Sequence, residues 1–227
     1  MIQSTLAPQG GRLSIVSWVT DSTGTRSRGT DKGPGTDKGR GTDKRRRLTA
    51  AAARVLYEQG VERTTIADIA AAAEVPVGNV YYYFKTKDEL VQAALAEQTS
   101  HLAELTTRLG QLPDPLHRLK GLITTWVDQR DVAARFGCPT GTLAAELDKR
   151  TDGALDAEAA AVIRQLLDWV AEQFRQLGQP DPADLAITLL AGYQGMSLLA
   201  NALRDPDIMT REGGRLSRWL DTLARTS

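Results

Sequence analysis

A chain of 227 residues, 41% hydrophobic and 25% charged, has the composition of one or two globular domains and is long enough to bury a core. Nothing in it reads as an uninterrupted apolar run of ~18 residues, the length of a membrane span, and its one cysteine, Cys138, excludes an internal disulfide framework. The zero net charge conceals a division, because residues 1–47 hold ten Lys or Arg against four Asp while the remainder is acidic to the same degree. A basic end on an acidic body is the charge pattern of a chain whose one end meets a polyanion; a solvating tail has the same pattern.

In chain order, residues 1–43 are expected to form a disordered, basic, low-complexity tail. Three glycine- and charge-rich hexads succeed one another from Gly29 to Arg46 and offer no apolar face to bury. The short run Leu13–Val19 is broken by Ser14 and Ser17 and lacks the cleavage pattern of an export signal, so the expected compartment is the cytoplasm. From about Arg45 the pattern turns helical: Leu48, Ala51, Ala52, Val55 and Leu56 share one face, and Gly60 follows as a C-terminal stop. Thr64 and Thr65 are candidate caps of a second helix, Ile66–Ala73. Val75-Pro76 breaks the chain, and Pro76 suits the first position of a short third helix reaching Phe84. Thr86 then opens a long fourth helix, with Glu89 three residues on as the partner in a capping box.

Beyond that point every segment reads as helix between Pro/Gly breaks, over 86–109, 115–134, 142–149, 154–177, 182–204 and 207–224, with no alternating β-branched run. The fold class is all-α: an N-terminal three-helix helix-turn-helix DNA-binding domain over 44–90, then a larger helical ligand-binding and dimerisation domain over 91–227. A helix-turn-helix needs small residues where its second helix crosses the third, which Ala70 and Ala73 supply, and a third helix with its outer face free for the major groove.

The stretch Thr64-Thr65-Ile66-Ala67-Asp68-Ile69-Ala70, followed by Val75-Pro76-Val77-Gly78-Asn79-Val80-Tyr81-Tyr82-Tyr83-Phe84-Lys85-Thr86-Lys87-Asp88-Glu89-Leu90, resembles the DNA-binding signature of the TetR family of transcriptional regulators. The resemblance covers about 45 residues, Arg46–Leu90, and Gly137–Gly141 with the stretch Gly195–Pro206 resembles one branch of the same family. It implies a ligand-responsive DNA-binding regulator, a repressor by default, released from a palindromic operator by a small-molecule effector. By position, Thr65 and Tyr81 match DNA-backbone contacts and Lys87 a phosphate-contacting lysine. Val77, Gly78, Asn79 and Tyr82 match the base-facing side, while Val80 and Phe84 match the core that seats the helix.

Side-chain chemistry agrees. Asn79 can pair with adenine, Val77 can meet a thymine methyl, and Gly78 allows close approach. Tyrosine hydroxyls and Lys87 can bond phosphates, as can helix amides beside Thr64, Thr65 and Thr86. Of the three consecutive tyrosines one should be core, and Tyr83 lies on the side of Val80 and Phe84. The run Lys44–Arg47, with Arg46 and Arg47 as its candidate contacts, lies just before the first helix, where an arm can reach a minor groove. Two residues depart from the family pattern. Glu74 stands where a turn glycine is usual, at a cost of about 1 kcal/mol if φ is positive there, and Pro76 stands where a capping serine is common.

The homodimer interface is implied on the last two helices, where Ala191, Gly192, Gly195 and Ala202 are small and Leu189, Leu199, Leu203, Leu216, Trp219, Leu220 and Leu223 are apolar. Candidate ligand-binding residues are Trp126, Arg130, Phe136, Cys138, Trp169, Tyr193 and Met196, with Phe174 also available. Arg130 follows Trp126 by four residues and should share its face. His101 and His117 belong to no metal motif, and no nucleotide or hydrolase signature occurs, so no cofactor, metal or catalytic residue is expected. Two alternatives stay open from sequence: a helical small-molecule binder or enzyme that has lost specific DNA binding, and a DNA-binding protein with no effector.

Overall fold

The computed structural model describes residues 37–150 and 155–225, and those residues form ten α-helices and no strand. They are α1 Asp37–Gln59, α2 Ile66–Ala72, α3 Val77–Tyr83, α4 Lys87–Gly110, α5 Pro115–Asp128, α6 Arg130–Phe136, α7 Pro139–Leu147, α8 Leu155–Gln176, α9 Pro182–Leu203 and α10 Asp207–Arg225. The expected disorder of residues 1–36 lies outside the described residues. Residues 37–43, expected in the same tail, are the first turns of α1 instead. Asp43 pairs with Arg46 at 2.8 Å one turn on, and the Arg45 guanidinium lies 5.3 Å from the centre of the Phe84 ring, so these polar side chains hold a helical register that apolar periodicity does not reveal.

Each helix end follows from local chemistry. Gly60 takes φ +82° and donates its amide to the Leu56 carbonyl. Thr65 caps α2 in a reciprocal box with Asp68: the Asp68 amide donates to the Thr65 hydroxyl oxygen, while the Thr65 amide and hydroxyl both donate to the Asp68 carboxylate. Those donors hold the Asp68 carboxyl below its ordinary range. Pro76 is the cap of α3 rather than its first helical residue. Thr86 caps α4, but Glu89 reaches back to the Lys85 amide, one residue before the cap, at 2.7 Å. The long helix expected over 115–134 is two helices, because Gln129 leaves helical geometry between Asp128 and Arg130. The helix expected from residue 142 begins at Pro139, capped by Cys138.

Two cores meet along α4. The first joins Leu48, Val55, Ile69, Val80 and Phe84 to Leu90, Val91, Ala94 and Leu95 of α4, and also takes in Leu143 and Leu147 of α7 and Ala159 of α8. The second is built around Trp126, Phe174, Leu189, Met196, Leu216 and Leu220, and includes Leu105 and Leu109 from the other end of α4. α4 has 24 residues, or about 36 Å, and is long enough to serve both. α8 and α9 pack on one another, with α6 and α10 also against α9 and α5 against both α8 and α10.

α9 is long and apolar enough on average to qualify as a membrane-spanning helix, although polar residues interrupt its apolar run. Its apolarity has two sources in the fold. Ala186, Leu189, Tyr193, Met196 and Ala200 face the core, while Ile187, Leu198, Leu199 and Leu203 are at least half exposed.

Candidate nucleic-acid interface and the cavity behind it

α3 stands on the first core through Val80, which is fully buried, with Phe84 buried just past its end and Tyr83 half-buried beneath it. That seating turns the rest of the helix outward. Val77, Tyr81 and Tyr82 are 42%, 48% and 79% exposed, a large apolar and aromatic area left in water on a seven-residue helix. Gly78 and Asn79 lie on the same surface, and a methyl group on Gly78 would meet no atom within 4 Å. The exposed face carries the amide donor and acceptor of Asn79, two phenol groups and one aliphatic side chain, which suits base edges and phosphates together.

The surroundings of α3 are less exposed than sequence implies. Thr65 is exposed, but Thr64 is 1% exposed and its hydroxyl donates to the Gly60 carbonyl at 2.7 Å, so it secures the entry to α2 and is not available to DNA. Lys87 is half-buried, with its ammonium 3.4 Å from the Glu62 carbonyl, beside the approach to α2. Arg46 points outward. Arg47 does not: its guanidinium donates to the carbonyls of Ala73 and Glu74 and lies 3.5 Å from the Glu74 carboxylate. Lys44–Arg47 are therefore helical and partly committed to the fold, not an extended arm.

This explains how the turn tolerates its departure from pattern. Glu74 has φ +53°, the left-handed region where a glycine would be relaxed. Arg47 places a positive charge on the carbonyls that end α2, where the helix dipole is negative, and Arg54 reaches the Ala72 carbonyl at 3.5 Å from the same side.

Behind this unit, a cavity of about 40 Å³ lies between α4, α5, α8, α9 and the start of α7. Its walls are mostly apolar, with Leu102, Val162, Ile163, Leu166 and Leu190 on one side and the stacked rings of Trp126 and Tyr193, 4.2 Å apart, on another. Burial, with the neighbouring Cys138, holds the Tyr193 phenol well above its usual range, so it stays neutral. Cys138 is buried and lines the cavity; its sulfur accepts from the Gly141 amide at 3.3 Å and from Gln194 Nε2 at 3.5 Å.

The segment around Cys138 is tied back to the DNA-binding end. The Tyr57 hydroxyl on α1 donates to the Gly137 carbonyl at 2.6 Å, and the Val61 amide donates to Glu146 of α7 at 2.5 Å. Arg150 forks onto Asp88 at 2.9 and 3.0 Å, joining the end of α7 to the first turn of α4.

Comparison with known proteins decides the family. Residues 48–94 match the family described as bacterial regulatory proteins of the tetR family, and residues 115–212 match the tetracyclin repressor-like C-terminal domain. The transcriptional regulator AcuR of Cereibacter sphaeroides is 30% identical over 176 residues, 70% of this chain and 78% of AcuR. The chain belongs to the TetR family. It is a DNA-binding transcriptional regulator with the helix-turn-helix and helical C-terminal domain of that family. ArpR of Pseudomonas putida, a probable HTH-type transcriptional regulator, is 43% identical over 82 residues, which span 35% of this chain and 39% of ArpR. The regulatory protein TetR from Rhodobacter sphaeroides superposes with a TM-score of 0.67 at 26% identity, covering 76% of this chain and 96% of that one.

Within this TetR-family chain, the cavity takes in only part of the ligand set expected from sequence. Trp126, Cys138 and Tyr193 line it. Met196 is buried in the second core, and Trp169 packs half-buried against the same core. Phe136 is outside the cavity, its ring edge on Tyr57 with centroids 5.5 Å apart. Arg130 fails for a local reason: the helix break at Gln129 removes the four-residue register with Trp126, and its guanidinium turns back to the Val127 carbonyl at 3.4 Å. Sequence reading missed the rest of the lining, Gln98, Leu102 and Gln194 among it. Gln98 alone carried a signal, a polar residue in the apolar series Val91, Leu95, Leu102, Leu105, Leu109 of α4.

Proposed function

We propose that the chain is a homodimeric repressor, working in the cytoplasm, that a small-molecule effector releases from a palindromic operator. The observation that supports this reading best is the position of α4, which lines the cavity with Gln98 and Leu102, packs on α1 of the DNA-binding unit, and shares that unit's core through Leu90, Val91 and Ala94. On this reading Val77, Gly78, Asn79 and Tyr82 face the major groove, while Thr65, Tyr81, Lys87 and Arg46 meet phosphates. The dimer forms on the exposed stripe of α9, where Ile187, Ala191, Leu198 and Ala202 recur at helical spacing with Leu199 and Leu203 beside them. Leu189, Leu216 and Leu220, also considered for that interface from sequence, are core residues. The DNA-binding unit is residues 44–90, with the first turns of α4 shared between it and the larger domain of residues 91–227.

Two recognition helices about 34 Å apart would enter successive major grooves. An effector that fits better when α4 and α7 have shifted changes that spacing, and it acts only through its differential affinity for the two arrangements. The test is footprinting on fragments of the source genome, titrated with salt and candidate metabolites. A protected near-palindrome lost on adding one metabolite is the expected result. Sequence-independent binding would overturn the reading. A second reading, a DNA-binding protein with no effector, draws support from the small volume of the cavity and predicts a footprint that no metabolite removes.

A further inference from the structure

Two residues that line the cavity each carry a buried polar atom with no hydrogen-bond partner among the described residues. One is an acceptor, Gln98 Oε1 on α4; the other is a donor, Trp126 Nε1 on α5. Gln98 is 8% exposed and Trp126 1%, so bulk water does not reach them. Folds rarely leave such groups unmet, and a donor and an acceptor on one small cavity call for an occupant that supplies both complements. The rest of the lining bears no formal charge. A carboxylate or an ammonium group bound there would give up its hydration for no counter-charge, which disfavours both strongly.

We propose, building on the effector reading above, that this cavity takes a neutral, mainly apolar molecule bearing a hydroxyl group, an alcohol or a phenol. Its O–H donates to Gln98 Oε1 and its oxygen accepts from Trp126 Nε1. Its hydrocarbon part lies among Leu102, Val162, Ile163 and Leu166. Size adds a consequence. A dry cavity of roughly 150 Å³ holds benzene, and this one has about 40 Å³. A ring-sized guest must therefore push its walls apart. The walls at hand are α4 at Gln98 and Leu102 and the start of α7 at Pro139 and Thr140, the two elements tied to the DNA-binding unit.

The test is calorimetric titration and thermal shift of the full chain with four probes of similar size. Phenol both donates and accepts, anisole accepts only, toluene does neither, and benzoate is charged. The expected order is phenol, anisole, toluene, with phenol about tenfold or more above toluene and no binding of benzoate. Trp126→Phe and Gln98→Leu should each lower phenol affinity about tenfold relative to toluene, with toluene binding no weaker than before. Trp126→Phe keeps a ring in the stack, so it reads the lost N–H even if Gln98→Leu folds poorly. Equal affinity for phenol and toluene, preference for benzoate, or no binding of any probe overturns the proposal. Footprinting in parallel separates the two levels. Phenol binding with the footprint intact keeps the cavity assignment and ends the effector reading. Loss of the footprint to a charged metabolite, without phenol binding, does the reverse.

Discussion

Arg47 shows how one side chain can be misread from its neighbours. In the run Lys44–Arg47 it looks like part of a DNA-binding arm, yet it closes the turn between α2 and α3. Arg47→Ala should cost about 1–2 kcal/mol, since charge-assisted hydrogen bonds to half-buried carbonyls are lost. Chemical denaturation measures this; a change no larger than that of Arg46→Ala would mean the contacts are incidental. Tyr57 offers a second test. Burial, together with Cys138, raises its pKa far above the ordinary phenol value, while in the unfolded chain it ionises near ~10. Above that pH the unfolded state has lost a proton that the folded state keeps, so stability is full below pH ~10 and falls as pH rises further. Tyr57→Phe should cost about 1 kcal/mol at neutral pH through the lost bond to Gly137 and flatten the alkaline decline seen by thermal melts between pH 8 and 11.

At the scale of the element, α3 separates folding from recognition. Gly78 has open space where a β-carbon would go, and alanine is the better helix former by about 1 kcal/mol. Gly78→Ala should therefore leave the melting temperature unchanged or raise it, while weakening operator binding at least tenfold by holding the helix off the duplex. Unchanged affinity in a gel-shift titration would remove α3 from the groove. Gly213 of α10 is the opposite case. A methyl group there would come within 2.4 Å of Val127 on α5, so Gly213→Ala should destabilise the bundle by about 1–3 kcal/mol through overpacking. The break at Gln129 belongs to this scale too: no Pro or Gly announces it, and residues on either side lose the common face that their spacing implies.

For the whole molecule the proposed dimer rests on the outer face of α9. Leu198 and Leu203 are 67% and 65% exposed and make no contribution to either core. Leu198→Glu with Leu203→Lys should leave the fold of each protomer intact by circular dichroism, yield a monomer in sedimentation, and abolish footprinting of a two-fold operator. A variant that stays dimeric would move the interface elsewhere. In the proposed dimer each phosphate neutralised by a basic side chain should add about 0.9 to the log–log salt slope.

Sequence by itself determined the helical class, the order of the first four helices, the caps at Thr65 and Thr86, and the outward face of α3. All of these rest on interactions within a few residues, or on a spacing that one helix repeats. It also located Trp126, Cys138 and Tyr193 among the candidates for the cavity, because large or unusual side chains are few in this chain. Tertiary structure alone decided that Arg47 serves the fold and that Gln98 and Trp126 line one cavity. Those facts depend on which helices come together, and the contacts that bring them together join residues far apart in the chain. Local periodicity records that a face is buried; only packing records what it is buried against.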